Sequence, residues 1–384
     1  MIGKPSKDVF FDDAYQVSLP CAIKQIHIEN FQSIIKTNIA AIPVDTQWLF
    51  LTGENAFGKT SVLQAIVIGL FGKQDKNRIL TEENFQIAIE LKNNGDNQIT
   101  QSGQPQFTNF VAYGSSRLQI QNQQAQNEFS EKSSKTYSLF NVNGILLNIE
   151  YELLLWYLTK NPKYDIVKAT LLSLLPTIAD IQIKNNSEVV YIERESNDSD
   201  EIYEALPFEK LASSHKSIVA MIGDMLIRFY KQQPQVLEPK DLTGIVLIDE
   251  LDLHFHPKWQ RKLPIWLSSV FPQVQFIVST HSVIPFLGAP QKTVFLKVNR
   301  NKAAGIQIER IDIDIKNLLP NSLLTSPIFD LEGKDIMQEN NEKLSDVRTE
   351  ETYDEIQIND EIKTRLAAFE ASDRDFPDDL FEIE

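Results

Sequence analysis

Apolar positions along the chain switch between a two-residue and a 3.6-residue rhythm. Ala22-Ile23-Lys24-Gln25-Ile26-His27-Ile28 alternates apolar and polar residues, a strand pattern. A second strand is expected at 36–42, and the buried-type run Trp48–Thr52 predicts a third, ended by Gly53. Residues 59–71 read as a helix, with Val62, Ile66 and Leu70 at i, i+4 and i+8 and Gly72 as its stop. The Asn-, Gln- and Gly-rich residues 92–108 read as a loop or a hairpin tip, 110–114 as a strand, and 118–138 as a Gln/Ser-rich stretch. Residues 149–175 predict a helical segment with Tyr151, Leu154, Leu155 and Leu158 as its apolar stripe. A hairpin is expected from Ile181–Ile183 and Val189–Ile192 around Asn185-Asn186, and an apolar helix over 214–231. Ile245–Ile248 and Val274–Ser279 read as short apolar strands, with 258–270 helical between them. Strands alternating with helices predict an α/β sandwich with a mainly parallel sheet. No internal repeat is visible, nor a heptad run long enough for a coiled-coil arm.

Composition changes this picture little. The 384 residues suffice for two or three domains, and 42% are apolar, ample for a real core. The single cysteine, Cys21, excludes a disulfide framework and a cysteine-cluster zinc site. No apolar run approaches the roughly 18 residues of a membrane span. The start, MIGKPSKDVFFDDAYQ, is too polar and acidic for a signal peptide, so a cytoplasmic protein without a membrane partner is expected. Charge matters more. The net charge is −16, which argues against nucleic acid, but residues 330–384 hold 19 acids and 6 bases. The acidity is therefore concentrated in the tail. The body is nearly neutral, and a DNA or RNA partner stays open.

Two segments carry chemistry. Gly53-Glu54-Asn55-Ala56-Phe57-Gly58-Lys59-Thr60 fits G-x-x-x-x-G-K-T between a strand and a helix. Glycines let such a loop curl around a phosphate, and successive N–H groups then point at the anion. Lys59 supplies a mobile charge for the β- and γ-phosphates, and the Thr60 hydroxyl is placed to ligate Mg2+. Further along, four apolar residues end in Asp249-Glu250. Carboxylates leaving the C-terminal end of a strand mark the ligand edge of an open α/β sheet. Asp249 is the candidate to hold Mg2+, and Glu250 to polarise an attacking water.

Only five histidines occur, and His254, His256 and His281 follow these strand ends. His281, after Val278-Ser279-Thr280, falls on the same edge and could contact a γ-phosphate. His254-x-His256 is half of a metal pattern whose other ligands are missing.

Together these pieces resemble the ABC-type ATPases related to RecF, SMC and OLD proteins. Ile28-Glu29-Asn30-Phe31-Gln32-Ser33-Ile34 resembles their first strand and turn, and Gly53–Ser61 their Walker A segment. Leu247–Pro257 is similar to their Walker B and D-loop in the compact branch reading L-H-x-H-P, and Ser279–Ser282 to their H-loop. Leu211-Ala212-Ser213-Ser214-His215-Lys216-Ser217 stands where the signature motif belongs, with Ser214 in place of its glycine. The resemblance covers about 22–330. It implies an ABC-type P-loop ATPase head with a mainly parallel sheet, an antiparallel N-terminal subsheet, a helical lid insertion and no long coiled coil. It implies ATP and Mg2+ as cofactors, and a homodimer or higher oligomer closed around nucleotide. Gly53, Glu54, Asn55, Gly58, Lys59, Thr60 and Ser61 would bind nucleotide in cis, and Ser213 and Ser214 in trans. Thr60 and Asp249 would hold the metal, and Glu250, His281 and Lys59 would be catalytic.

Compact members of this group, such as Septu PtuA and retron-associated ATPases, serve in anti-phage systems. A separate effector, most simply a nuclease, is therefore expected as partner. The expected organisation is a leader (1–20), an ATPase lobe with Walker A (21–114), an insertion (115–210), a segment with signature, Walker B and H-loop (211–330) and an acidic tail (331–384). A Q-loop glutamine is not evident; Arg117, nearby, is a candidate for a contact with nucleotide or partner, or a surface arginine. Leu331-Glu332-Gly333-Lys334-Asp335 resembles the start of a Toprim nuclease, with Asp373 and Asp375 as further acids, but too little chain follows to build one. The tail reads as a solvated end, or as a peptide that docks on a basic partner surface or shields a DNA groove. A nucleotide-gated scaffold, a DNA-maintenance ATPase and a transporter subunit are the rival readings.

Overall fold

The computed structural model describes residues 18–71, 85–101, 107–115, 120, 131–195, 202–253, 255–302, 304–315, 318, 320–329, 358 and 361–365. Arg117, His254, Glu332, Asp335, Asp373, Asp375 and nearly all of the acidic tail lie outside them.

The chain opens with β1 (Cys21–Phe31), β2 (Ile34–Ile39), β3 (Trp48–Thr52) and α1 (Lys59–Phe71). A hairpin of β4 (Gln86–Asn93) and β5 (Asp96–Gln101) follows, then β6 (Phe110–Tyr113). Next come α2 (Tyr137–Phe140), α3 (Ile149–Leu158), α4 (Lys163–Leu174) and a hairpin of β7 (Ile178–Lys184) and β8 (Glu188–Glu193). The last part holds α5 (Ser213–Gln232), β9 (Gly244–Ile248), α6 (Pro257–Val270), β10 (Val274–Ser279), β11 (Val294–Asn301), β12 (Gly305–Ile311) and α7 (Pro320–Thr325).

Ten strands form one mixed sheet in the order β5-β4-β1-β2-β12-β11-β3-β10-β9-β6. From β11 to β6 all neighbours are parallel. The remaining pairs, among β5, β4, β1, β2, β12 and β11, are antiparallel. The arrangement is the one expected from the sequence: a mainly parallel half bearing the Gly53–Thr60 loop, with an antiparallel subsheet at its side.

The parallel strands are buried on both faces, which explains their unbroken apolar runs. Trp48 and Phe50 of β3 face one core with Val246 and Ile248 of β9, under α3 to α6. Leu49 and Leu51 face the other with Ile245 and Leu247, against α1. Trp48 stacks on Phe276 at 4.5 Å and donates its indole N–H to Ser268 Oγ at 2.8 Å, pinning α6 to the sheet. A buried glutamine ties the two halves together. Gln275 Oε1 accepts the Ile23 N–H at 2.7 Å, and its amide donates to the Thr46 carbonyl at 3.0 Å.

Three expectations need correction. Residues 149–175 form two helices, because the chain turns at Lys160 (φ +54°) and Pro162, which lacks the N–H a continuing helix needs. On α3 the stripe Tyr151, Leu154, Leu155 and Leu158 does not face the core: Leu155 and Leu158 are 40% and 53% exposed. Ile149, Leu153 and Trp156 are buried instead, together with Glu150 and Glu152. The hairpin β11–β12 was not expected at all, and β4–β5 only as a tip.

One buried polar network fastens the insertion to the sheet. Asp224 of α5 accepts the Tyr113 hydroxyl of β6 at 2.6 Å, Arg228 Nε at 2.5 Å and the Leu147 N–H at 2.7 Å. Burial and the adjacent Asp224 push the Tyr113 hydroxyl well above its usual range.

Candidate nucleotide site

Strands β3, β9, β10 and β6 run parallel and end at one edge, where their termini are cross-linked. The Asp249 N–H donates to the Tyr113 carbonyl at 2.8 Å, and the Thr280 N–H to the Leu51 carbonyl at 3.2 Å. The phosphate loop leaves β3 here. Gly53 has φ +132° and Gly58 φ +96°, and each is closely backed. A Cβ on Gly53 would lie 2.3 Å from the Val298 carbonyl oxygen, and one on Gly58 2.2 Å from Ile306 Cδ1. The unexpected hairpin β11–β12 is thus the floor of the loop. Arg300 adds a 3.3 Å bond to the Ala56 carbonyl. Glu54 and Asn55 lie exposed on the loop's outer side, and Ser61 is half-buried in the first turn of α1.

Lys59 is buried, and its ammonium donates to the Gly53 and Glu54 carbonyls at 2.7 and 2.9 Å. Burial pulls its pKa down to about 8, against the attraction of Asp249, Glu250 and Asp252. The Thr60 hydroxyl donates to Asp249 Oδ2 at 2.7 Å. Asp249 Oδ1 accepts the Ser279 hydroxyl. Glu250 stands at φ +51°, a left-handed backbone that is costly for a residue with a side chain. Its N–H donates to Ser279 Oγ at 2.8 Å.

His281 follows β10 on the exposed rim. Burial of its ring and the nearby Lys59 cation hold its pKa below the usual value, opposed by Asp252, Glu250 and Asp249. The same charges therefore act on Lys59 and His281. The structure thus brings Lys59, Thr60, Asp249, Glu250 and His281 to one edge.

Ser213 and Ser214 stand elsewhere, on the first turn of α5; Ser213 is exposed and Ser214 half-buried. The next residue, His215, is anchored. It shares a 2.8 Å hydrogen bond with Thr177, lies 3.3 Å from Glu193 and packs at 5.1 Å on Trp259 of α6. His256 caps α6, its Nδ1 accepting the Lys258 N–H at 3.3 Å. Among the described residues no group of three or more His, Cys, Asp or Glu could hold a metal.

That does not oppose Mg2+. Phosphate-bound Mg2+ takes one or two protein oxygens and completes its shell with phosphate and water. Thr60 and Asp249 present such a hard oxygen pair beside the loop, so the donor set fits.

Sequence reasoning missed Ser279, Thr280 and Asp252. Thr280 Oγ1 donates to Asp252 Oδ1, tying the segment after β10 to the segment after β9. The available signal was two hydroxyl residues closing an apolar strand beside a strand that closes in two acids.

Two family models match the chain. One described as "AAA domain" matches residues 25–206, and one described as "AAA domain, putative AbiEii toxin, Type IV TA system" matches 226–286. The chain is 27% identical to Septu protein PtuA of Bacillus mycoides, over 80% of this chain and 45% of that protein. It is 30% identical to "Retron Ec83 probable ATPase" of Escherichia coli, over 41% of this chain and 28% of that protein. Among solved structures, the SMC head domain from Thermotoga maritima superposes with a TM-score of 0.42 and 13% identity, covering 76% of this chain and 99% of that one. The matched region spans less than half the length of these curated relatives. No helix among the described residues is long and apolar enough to cross a membrane.

Proposed function

The chain being a relative of the Septu and retron ATPases, we propose that it binds and hydrolyses ATP, dimerises around Mg-ATP, and regulates a separate effector in anti-phage defence. The reading is carried by one observation: Lys59, Thr60, Asp249 and Glu250 converge at the C-terminal edge of the parallel strands, linked through Thr60 and Ser279.

In this reading the loop from Gly53 to Ser61, with Glu54, Asn55 and Gly58, wraps the phosphates with backbone N–H groups. Lys59 releases the Gly53 and Glu54 carbonyls and turns its charge to the β- and γ-phosphates. Thr60 and Asp249 would hold Mg2+, which would screen the charge of the transferred phosphoryl group. Glu250 accepts a proton from, or orients, the attacking water. His281, held neutral near pH 7, donates a hydrogen bond toward the γ-phosphate. Ser213 and Ser214 offer the N-terminus of α5 to the nucleotide of a second copy. Compact relatives act in phage defence, so the effector is proposed to be a nuclease. The proposed location is the cytoplasm.

The test is association. Glu250→Gln protein should form a nucleotide-stabilised dimer in Mg-ATP, seen by sedimentation, and revert to the unliganded state in EDTA. An unchanged sedimentation coefficient, with no Mg-ATP binding by the wild type, would sink the proposal. Ser214 favours a second reading, a nucleotide-gated scaffold with little turnover, because its side chain stands where the resemblance implies a glycine. A turnover rate indifferent to Glu250→Gln would select the scaffold.

A further inference from the structure

We infer that Ser279 is a positioning residue that sets both carboxylates of the site, an inference that rests on the ATPase reading. Ser279 is the last residue of β10 and fully buried. Its hydroxyl is used in both senses: it donates to Asp249 Oδ1 and accepts the Glu250 N–H at 2.8 Å. Its carbonyl accepts the next N–H, from Leu251, at 2.8 Å. One residue therefore grips three consecutive positions of the neighbouring strand end.

The consequence for each carboxylate differs. Asp249 has its Oδ1 engaged by Ser279 and its Oδ2 by Thr60, so its plane is fixed from two sides. A hydroxyl has one proton to give and two lone pairs to take with. Ser279 gives that proton to Asp249, which orients a lone pair at the Glu250 N–H. That bond meets the backbone where it adopts the left-handed conformation at Glu250 (φ +51°). An extended Glu250 would continue the β9 rhythm and send its side chain away from Asp249's side of the edge. The left-handed turn breaks that alternation, and the Ser279 hydroxyl holds the turn. Thr280 adds a hydroxyl-to-carboxylate bond further on, to Asp252.

A fluorescent ATP analogue can be titrated by anisotropy, with EDTA and with Mg2+, into wild type, Ser279→Ala, Ser279→Cys, Asp249→Asn and the double variant Ser279→Ala/Asp249→Asn. Steady-state phosphate release is measured alongside, and thermal unfolding checks that each variant is folded. Removing a side chain that orients a metal ligand costs about 10- to 100-fold in metal affinity or activity. Ser279→Ala should therefore lower kcat/KM at least about ten-fold. Affinity in EDTA should be unchanged and the gain on adding Mg2+ reduced. Ser279→Cys, which keeps the volume, should follow alanine. The double variant should lose no more of the Mg2+ gain than Asp249→Asn alone.

The inference is overturned if Ser279→Ala keeps the wild-type Mg2+ gain, if cysteine restores it, or if the two substitutions add. The two ideas fail separately. Wild type that binds Mg-ATP without turning it over removes the ATPase reading, and the binding arm still judges Ser279. Wild-type turnover with an unaltered Ser279→Ala removes Ser279 alone.

Discussion

The Thr60 hydroxyl donates a 2.7 Å hydrogen bond to Asp249 Oδ2, joining positions 189 residues apart. This bond sets the two oxygens of the candidate metal site side by side. Thr60→Ala removes one oxygen ligand and one of the hydrogen bonds that orient the Asp249 carboxylate. The fold should survive, because Thr60 is exposed at the start of α1. Affinity for Mg-ATP should fall about ten-fold or more, with affinity in EDTA little changed. Titrations with and without Mg2+ provide the check.

The two loop glycines should respond differently to alanine. At Gly53 the added Cβ meets backbone, the Val298 carbonyl at 2.3 Å, so strand β11 must shift. At Gly58 it meets the tip of a flexible side chain, Ile306 Cδ1. Gly53→Ala should cost several kcal/mol and lower the unfolding midpoint sharply, by the combined burden of strain and collision, roughly 1–3 kcal/mol each. Gly58→Ala should fold and yet lose nucleotide binding, since its loop curvature at φ +96° is what an alanine resists. Thermal unfolding beside nucleotide titration separates the two.

Asp224 offers a stability test at a residue outside the phosphate loop. Asp224→Ala strands the buried Arg228 guanidinium and the Tyr113 hydroxyl without their acceptor. Breaking such a buried pair from one side typically costs about 3–5 kcal/mol. The denaturation midpoint should fall accordingly. Asp224→Ala combined with Arg228→Met should recover part of the loss, because no charge is then left unpaired.

Glu150 gives a pH dependence with a definite sign. It is buried in α3, and burial above all, with repulsion from Glu209, pushes its pKa up to about 8 from 4.5. Between those values the folded state keeps a proton that the unfolded chain has released. Stability therefore falls as pH rises from about 4.5 to about 8, by roughly 1.4 kcal/mol per unit for this group. Glu150→Gln mimics the protonated form and should flatten that part of the profile. The variant should be the more stable protein at pH 8, measured by unfolding at several pH values.

Much of this was legible in the sequence, and the reasons are local. The strand–loop–helix from Trp48 to Phe71 declares itself through a buried run, two glycines and an i, i+4 stripe. The Asp249–Glu250 strand end does so through four apolar residues closed by two acids. Other features depend on partners far away in the chain. Strands β11 and β12 show no clean alternation because β11 is nearly continuous with the core while β12 is half-exposed, yet they floor the phosphate loop through Val298 and Ile306. The stripe on α3 misled because its periodicity is genuine but faces outward, while Glu150 and Glu152 point in. Ser279 was readable as a residue but not as a role, since its two partners belong to a neighbouring strand. Asp224 could have been found: a lone acid in a run of apolar residues, with Arg228 one helical turn on, seldom lies inside a core without a purpose.

In the proposed function Glu250, next to Asp249 at the strand edge, supports hydrolysis of bound ATP. Steady-state phosphate release in Mg-ATP, wild type against Glu250→Gln, tests it most directly. The wild type should turn over measurably, and the variant should lose at least about a hundred-fold in kcat while retaining nucleotide binding. Equal rates for the two proteins, with nucleotide bound by both, would contradict it.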